Sequence, residues 1–270
     1  MDNEIPNLNY DYAIHSDFLI HWTGKYGDID TGLDWYTTHD KSKTTHEETN
    51  KYLERLHNIL KYGFWMTHDT QSYPELELPT VPKVAQTCFT ELRVSQARKH
   101  AKNYGRLGIG VKRYFLFSRG GRPVVYHNFG RKDKVKDPFY EACNKLDPHL
   151  LNYFKPMNST NTLNYDLYAE SEWRILCADS DLNAVKAKKP TAEAQYYQQL
   201  NESQQKILKY LLPIDDWLGL IIYPSLDVKK QTYTYENGAI RKLIEEIVNR
   251  QSVEKGIWPI EVSLDACRNF

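Results

Sequence analysis

Residues 18–24 read FLIHWTG, a short apolar strand that ends by presenting an imidazole, an indole and a hydroxyl in succession. Side chains alternate across a strand, so His21 and Thr23 point one way and Trp22 the other. A plain structural strand has no need of that set, whereas a pocket gripping a flat polar ligand does. A lone buried histidine is more often a hydrogen-bonded core residue. The hydroxyl two residues on, at a strand end, favours the pocket.

Working outward, THEETNKYLERLHNILKYG (45–63) reads as a helix. Thr44 or Thr45 with Glu47 or Glu48 gives a capping-box start, Leu53, Leu56, Ile59 and Leu60 the apolar stripe, and Gly63 the stop. FWMTHDTQSYPELELPTVPKV (64–84) is Pro-rich and loop-like, and leads to the strand AQTCFTEL (85–92). SQARKHAKNYG (95–105) is predicted as a helix with Ser95 as cap and Gly105 as stop. LGIGVKRYFLF (107–117) and GRPVVYH (121–127) follow as strands. In the first of these Gly108 and Gly110 share a face, where something can lie against the backbone. One helix or two short ones, interrupted at Pro148, are expected over 137–154.

AESEWRIL (169–176) is the clearest later strand, with Glu170, Glu172 and Arg174 predicted on one face and Ser171, Trp173 and Ile175 on the other. Two carboxylates about 7 Å apart raise each other's pKa unless a cation intervenes, and Arg174 is available as that cation. A solvated ion pair on a strand face is the plain alternative. A helix over 192–212, a strand over 216–225, an amphipathic helix over 235–251 and an edge strand at GIWPIEVSL (256–264) complete the reading. Strands and helices mix without βαβ alternation, which predicts an α+β class, and no repeat or linker breaks residues 1–270 into more than a single domain.

Net charge is zero but unevenly spread: residues 93–136 hold thirteen Lys and Arg against one acid, Asp133. Such asymmetry suits an anionic partner, a nucleic acid or a phosphorylated ligand, unless acids from elsewhere fold onto it. Tyr104, Tyr114 and Phe115 are placed to stack on bases. The polar, acidic N-terminus and the absence of a long apolar run predict neither a secretory signal nor a membrane span. Cys88, Cys143, Cys177 and Cys267 are widely spaced, as expected of free thiols in a reducing cytoplasm. HDKSKTTHEE (39–48) has no metal-ligand spacing and reads as a polar loop, so no metal site is expected.

The early His-x-Thr strand, the LxxIL helix with its Gly, CFTEL, HAKNYGRLGIGVKRYF, PVVY and the late ESEWRI together resemble the abortive-infection AbiGi family of phage-resistance proteins. More distantly, they are similar to the DarT-type ADP-ribosyltransferase toxins. The resemblance spans roughly residues 17–250. It implies a split β-sandwich with flanking helices around a NAD cleft. Glu172 would then match the catalytic glutamate, His21 and Thr23 would hold the nicotinamide and its ribose beside Trp22, and Arg93 would be the counterpart of an arginine after the second strand. In that scheme Glu172 stabilises oxocarbenium character on the ribose, Glu170 orients the acceptor or takes its proton, Arg93 or Arg174 neutralises the pyrophosphate, and Tyr104 lines the site. The acceptor would be RNA or DNA laid along residues 93–136, or a protein. AbiGi proteins are also labelled antitoxins, which implies the alternative of a non-catalytic module that binds a cognate toxin.

Overall fold

A computed structural model of the 270-residue chain describes residues 17–24, 46–68, 84–91, 96–127, 141–142, 145–156, 170–192, 194, 207–251 and 257–268. Its strands are β1 (Phe18–Thr23), β2 (Phe64–Thr67), β3 (Ala85–Thr90), β4 (Leu107–Lys112), β5 (Arg122–Pro123), β6 (Val125–His127), β7 (Phe154–Pro156), β8 (Glu172–Cys177), β9 (Leu208–Leu212), β10 (Leu218–Tyr223) and β11 (Ile260–Ser263). Its helices are α1 (His46–Tyr62), α2 (Ala97–Tyr104), α3 (Arg113–Phe117), α4 (Leu182–Val185), α5 (Leu226–Gln231) and α6 (Ala239–Arg250).

Nine of these strands form one mixed sheet running β11-β10-β4-β1-β3-β2-β9, with β8 on β3 and β5 on β8. Only β10 and β11 pair in parallel there. The sheet divides at β3. One edge of β3 is covered along its length by β8, while the other is shared by β1 near Thr90 and β2 near Gln86. β6 and β7 make a separate parallel pair with Tyr126 opposite Lys155.

Alternation along β10, with a register shift between Leu218 and Leu220, explains how both faces of the sheet are covered. All six residues of LGLIIY are buried. Leu218, Ile221 and Tyr223 join the larger core with Leu53, Leu56 and Ile59 of α1 and Ile240, Ile244 and Ile247 of α6. Leu220 and Ile222 join a smaller core with Ile20, Trp22 and Ala97 and Ala101 of α2. The apolar stripes read from the sequence therefore become two cores, one on each side of the sheet, in a mixed α and β architecture.

Several elements differ from the sequence reading. FWMT is strand β2, because Phe64 and Met66 alternate into the core with Trp65 and Thr67 half-buried. RYFLF is helix α3 rather than a continuation of β4, and Phe115 is buried inside it. LKYLL is strand β9, pairing with β2, rather than the end of a helix. GRPVVYH divides between two sheets. The space over Gly108 and Gly110 is filled by neighbouring strands. A Cβ on Gly108 would come 3.1 Å from Ile20 and Trp22, and one on Gly110 would come 2.7 Å from Leu220. The caps read at Thr44, Thr45 and Ser95, and most of HDKSKTTHEE, lie outside the described residues. Among those residues Cys88, Cys177 and Cys267 are free thiols, no cluster of side chains fits a metal, and no helix is long and apolar enough to cross a membrane.

Candidate functional site

The start of β8 gathers the densest set of chemical groups in the described structure. Thr90 of β3 pairs with Glu172 and Cys88 with Arg174, so these four residues share one face of the sheet. Glu172 is 5 % exposed and Arg174 1 %. The guanidinium of Arg174 grips the Glu172 carboxylate through Nε at 2.7 Å and a second nitrogen at 3.2 Å. It also donates to the carbonyl of Asn152.

The β6–β7 pair closes over this face. Lys155 donates from Nζ to Glu172 at 2.8 Å and also to Glu170. The Tyr126 hydroxyl accepts from the Glu172 backbone N–H at 2.8 Å. Glu170, 2 % exposed, takes a further hydrogen bond from the Tyr104 hydroxyl at the end of α2. Glu170 does not stand on the strand as the alternation predicts. Ser171 between the two glutamates has φ +46°, and that left-handed step turns Glu170 towards Lys155. The layer below is made by α2, where His100 Nε2 lies 2.9 Å from the Thr90 hydroxyl and its ring packs on Tyr104 and Trp22.

Two cations thus face two carboxylates, and the cluster is neutral as a whole. Burial alone would raise the Glu172 carboxyl, but Arg174 and Lys155 outweigh it and hold it well below the usual carboxylate range. Burial would lower Lys155, and Glu172 and Glu170 reverse that, so its ammonium is retained. Cys88 and Tyr126 are pushed up, by burial first and by the Glu172 charge beside them, and stay protonated. His100 is lowered to about 4 by burial and by Lys155, so its imidazole is neutral.

His21 lies elsewhere. Ile20 pairs with Thr90, which puts Ile20 on the Glu172 face and His21 on the opposite one. There its ring packs against Phe64 and Phe89, and Nδ1–H donates to the Cys88 carbonyl at 2.9 Å. Burial lowers it to about 4. Thr23, on the same face, accepts from Arg55 at 3.4 Å. The imidazole and the carboxylate expected to share a cleft are therefore separated by the sheet itself. The structure brings together Glu170, Glu172, Arg174, Tyr104 and, through His100, Trp22. It keeps His21 and Thr23 apart from them. Arg93 lies outside the described residues.

Sequence reasoning missed Lys155, Tyr126 and His100. Lys155 follows a Pro-interrupted helix and Tyr126 sits in a short strand, so neither position carries a periodic signal. His100 faces inward between Ala97 and Ala101 and was legible as part of that helix's buried face.

Within the basic middle of the chain, three of the described arginines meet acids from elsewhere. Arg113 pairs with Glu91 at 2.5 Å, Arg119 with Asp215 at 2.5 Å, and Arg98 approaches Asp265 at 4.0 Å. Arg106 donates to the Pro224 carbonyl. Of the aromatics expected to stack on bases, Tyr114 is exposed, Phe115 is buried and Tyr104 is bound to Glu170.

No protein-family model matches the chain, and neither does any curated protein or solved structure.

Proposed function

We propose that this chain is a non-catalytic interaction module of an abortive-infection system, the alternative that the AbiGi resemblance implies. The observation that carries the reading is the state of Glu172. A carboxylate that stabilises a ribosyl cation must be reachable by the sugar and must have a free oxygen to offer it. Glu172 is 5 % exposed and already accepts from Lys155 and Arg174. The imidazole that would hold the nicotinamide faces the other way. A neutral, hydrogen-bonded cluster of this kind locks β8, β3 and the β6–β7 pair into one arrangement, which is what a rigid binding surface needs.

The ADP-ribosyltransferase reading is kept as a second one, resting on the same resemblance; the sharing of one edge of β3 between β1 and β2 is compatible with it. It would require NAD as substrate and a nucleic acid acceptor, with Glu172 released from its cations on binding.

Expression in bacteria separates the two. Wild type and Glu172→Gln are expressed alone and beside the product of the adjacent gene. The module reading expects no arrest from either form alone, and relief by the wild type of any arrest that the neighbour causes. Arrest by the wild type alone, absent in Glu172→Gln accumulated to the same soluble level and accompanied by loss of NAD, would favour the transferase instead.

A further inference from the structure

A cavity of about 230 Å³ is lined by no residue of the Glu172 cluster and by neither His21 nor Thr23. It forms where the end of α1, the segment 188–191 with Ala194, β9 with the turn after it, and the last turn of α6 meet. Its wall carries four cations, Lys61, Lys188, Lys189 and Arg250, and one acid, Asp215. Asp215 is already matched by Arg119, whose side chain is wholly buried. Among the described residues none of the four cations has a carboxylate within ion-pair distance.

Two of these cations have an ordinary explanation. Lys61 and Arg250 stand in the last turns of their helices, where the dipole favours positive charge. Lys188 and Lys189 do not. They come from a non-helical segment pinned to β9 by reciprocal backbone bonds between Lys188 and Leu211 at 2.8 Å. Four like charges converging on one concavity repel one another and concentrate a positive field there, which an anion relieves.

We propose that this cavity binds a small phosphate-bearing anion. Ammonium and guanidinium groups supply the charged donors that phosphate oxygens accept best. The volume falls below the range of about 300–1,000 Å³ that holds a drug-sized ligand, so it suits a diphosphate or a short phosphorylated sugar rather than a dinucleotide. Leu60, Leu211, Pro213 and Ile214 give one apolar wall for a carbon skeleton. The site stands independently of whether Glu172 is catalytic.

Calorimetric titration of the full chain at fixed ionic strength tests it, with pyrophosphate, ribose 5-phosphate and sulfate as separate probes. The expected result is saturable binding of pyrophosphate or ribose 5-phosphate, tighter than sulfate. The tighter of the two tells whether the natural ligand is an inorganic or an organic phosphate. Lys188→Ala/Lys189→Ala should weaken binding on the order of tenfold, and Arg250→Gln should weaken it independently. Lys242→Ala, exposed on α6, should leave binding unchanged. Because all these side chains are exposed, unfolding midpoints without ligand should stay near wild type. No heat with either phosphate at millimolar concentration overturns the proposal. So does a double variant that binds like wild type, or equal weakening by Lys242→Ala.

Discussion

Glu172→Gln removes one charge from a cluster that the fold neutralises internally, and its cost can be worked out from the contacts. At an effective dielectric of 20, two unit charges about 4 Å apart attract by about 4 kcal/mol, and desolvation takes back much of this. The loss therefore lies less in the missing attraction than in what remains. Arg174, 1 % exposed, loses the carboxylate it grips through two nitrogens, while Lys155 keeps Glu170. Removing one partner of a buried pair costs about 3–5 kcal/mol. The lower end, about 3 kcal/mol, applies here because Glu170 still neutralises Lys155. The assay is urea unfolding followed by tryptophan fluorescence and extrapolated linearly to water. The double variant Glu172→Gln/Lys155→Met restores neutrality, so it should lose at least about 1.5 kcal/mol less than the sum of the single changes. An active-site carboxylate behaves differently, because its neutralisation commonly leaves stability unchanged or raises it. A Glu172→Gln protein as stable as wild type would refute the structural reading of this cluster.

Other outcomes follow from the same geometry. His100 is neutral in the fold at about 4 against 6.5 ordinarily, so the unfolded chain binds the extra proton. Its contribution is complete above pH 6.5 and is lost as the pH falls towards 4, by about 3 kcal/mol in all. His21, lowered to about 4 by burial as well, titrates in the same window, so unfolding curves at pH 7 and pH 5 should differ and His100→Asn should remove about half of the difference; an equally steep loss in that variant would assign the effect to other groups. Glu172 acts lower, its contribution present above its unfolded value and lost only as the pH falls through the depressed folded one. Gly63→Ala should cost at least about 2 kcal/mol, because Gly63 has φ +112° and the added Cβ would meet the Leu212 carbonyl at 2.4 Å. A thermal midpoint within error of wild type would contradict that packing.

Much of the fold was legible because it rests on periodicity. Leu53, Leu56 and Ile59 mark α1, Ile240, Ile244 and Ile247 mark α6, and both Gly63 and Gly105 end helices at positive φ. The failures share a cause. FWMT, RYFLF and LKYLL are short apolar runs that either state accommodates, and pairing across β2 and β9 decides two of them. At the site, Glu172 and Arg174 were found because alternation put them on one face. The partnership with His21 was not a matter of local pattern. Whether two strands present the same face depends on register, and the pairing of Ile20 with Thr90 sets His21 against Glu172. Lys155 arrives from a separate two-stranded sheet that no local signal announces.

The claim that Glu172 holds the fold together, and does not turn over a substrate, is tested most directly by nicotinamide release from NAD. Purified full-length protein is incubated with NAD, with and without single-stranded RNA or DNA, beside Glu172→Gln. The account predicts no release above buffer from either protein under any of these conditions. Release by the wild type that Glu172→Gln abolishes, in a variant still folded by circular dichroism, would contradict it.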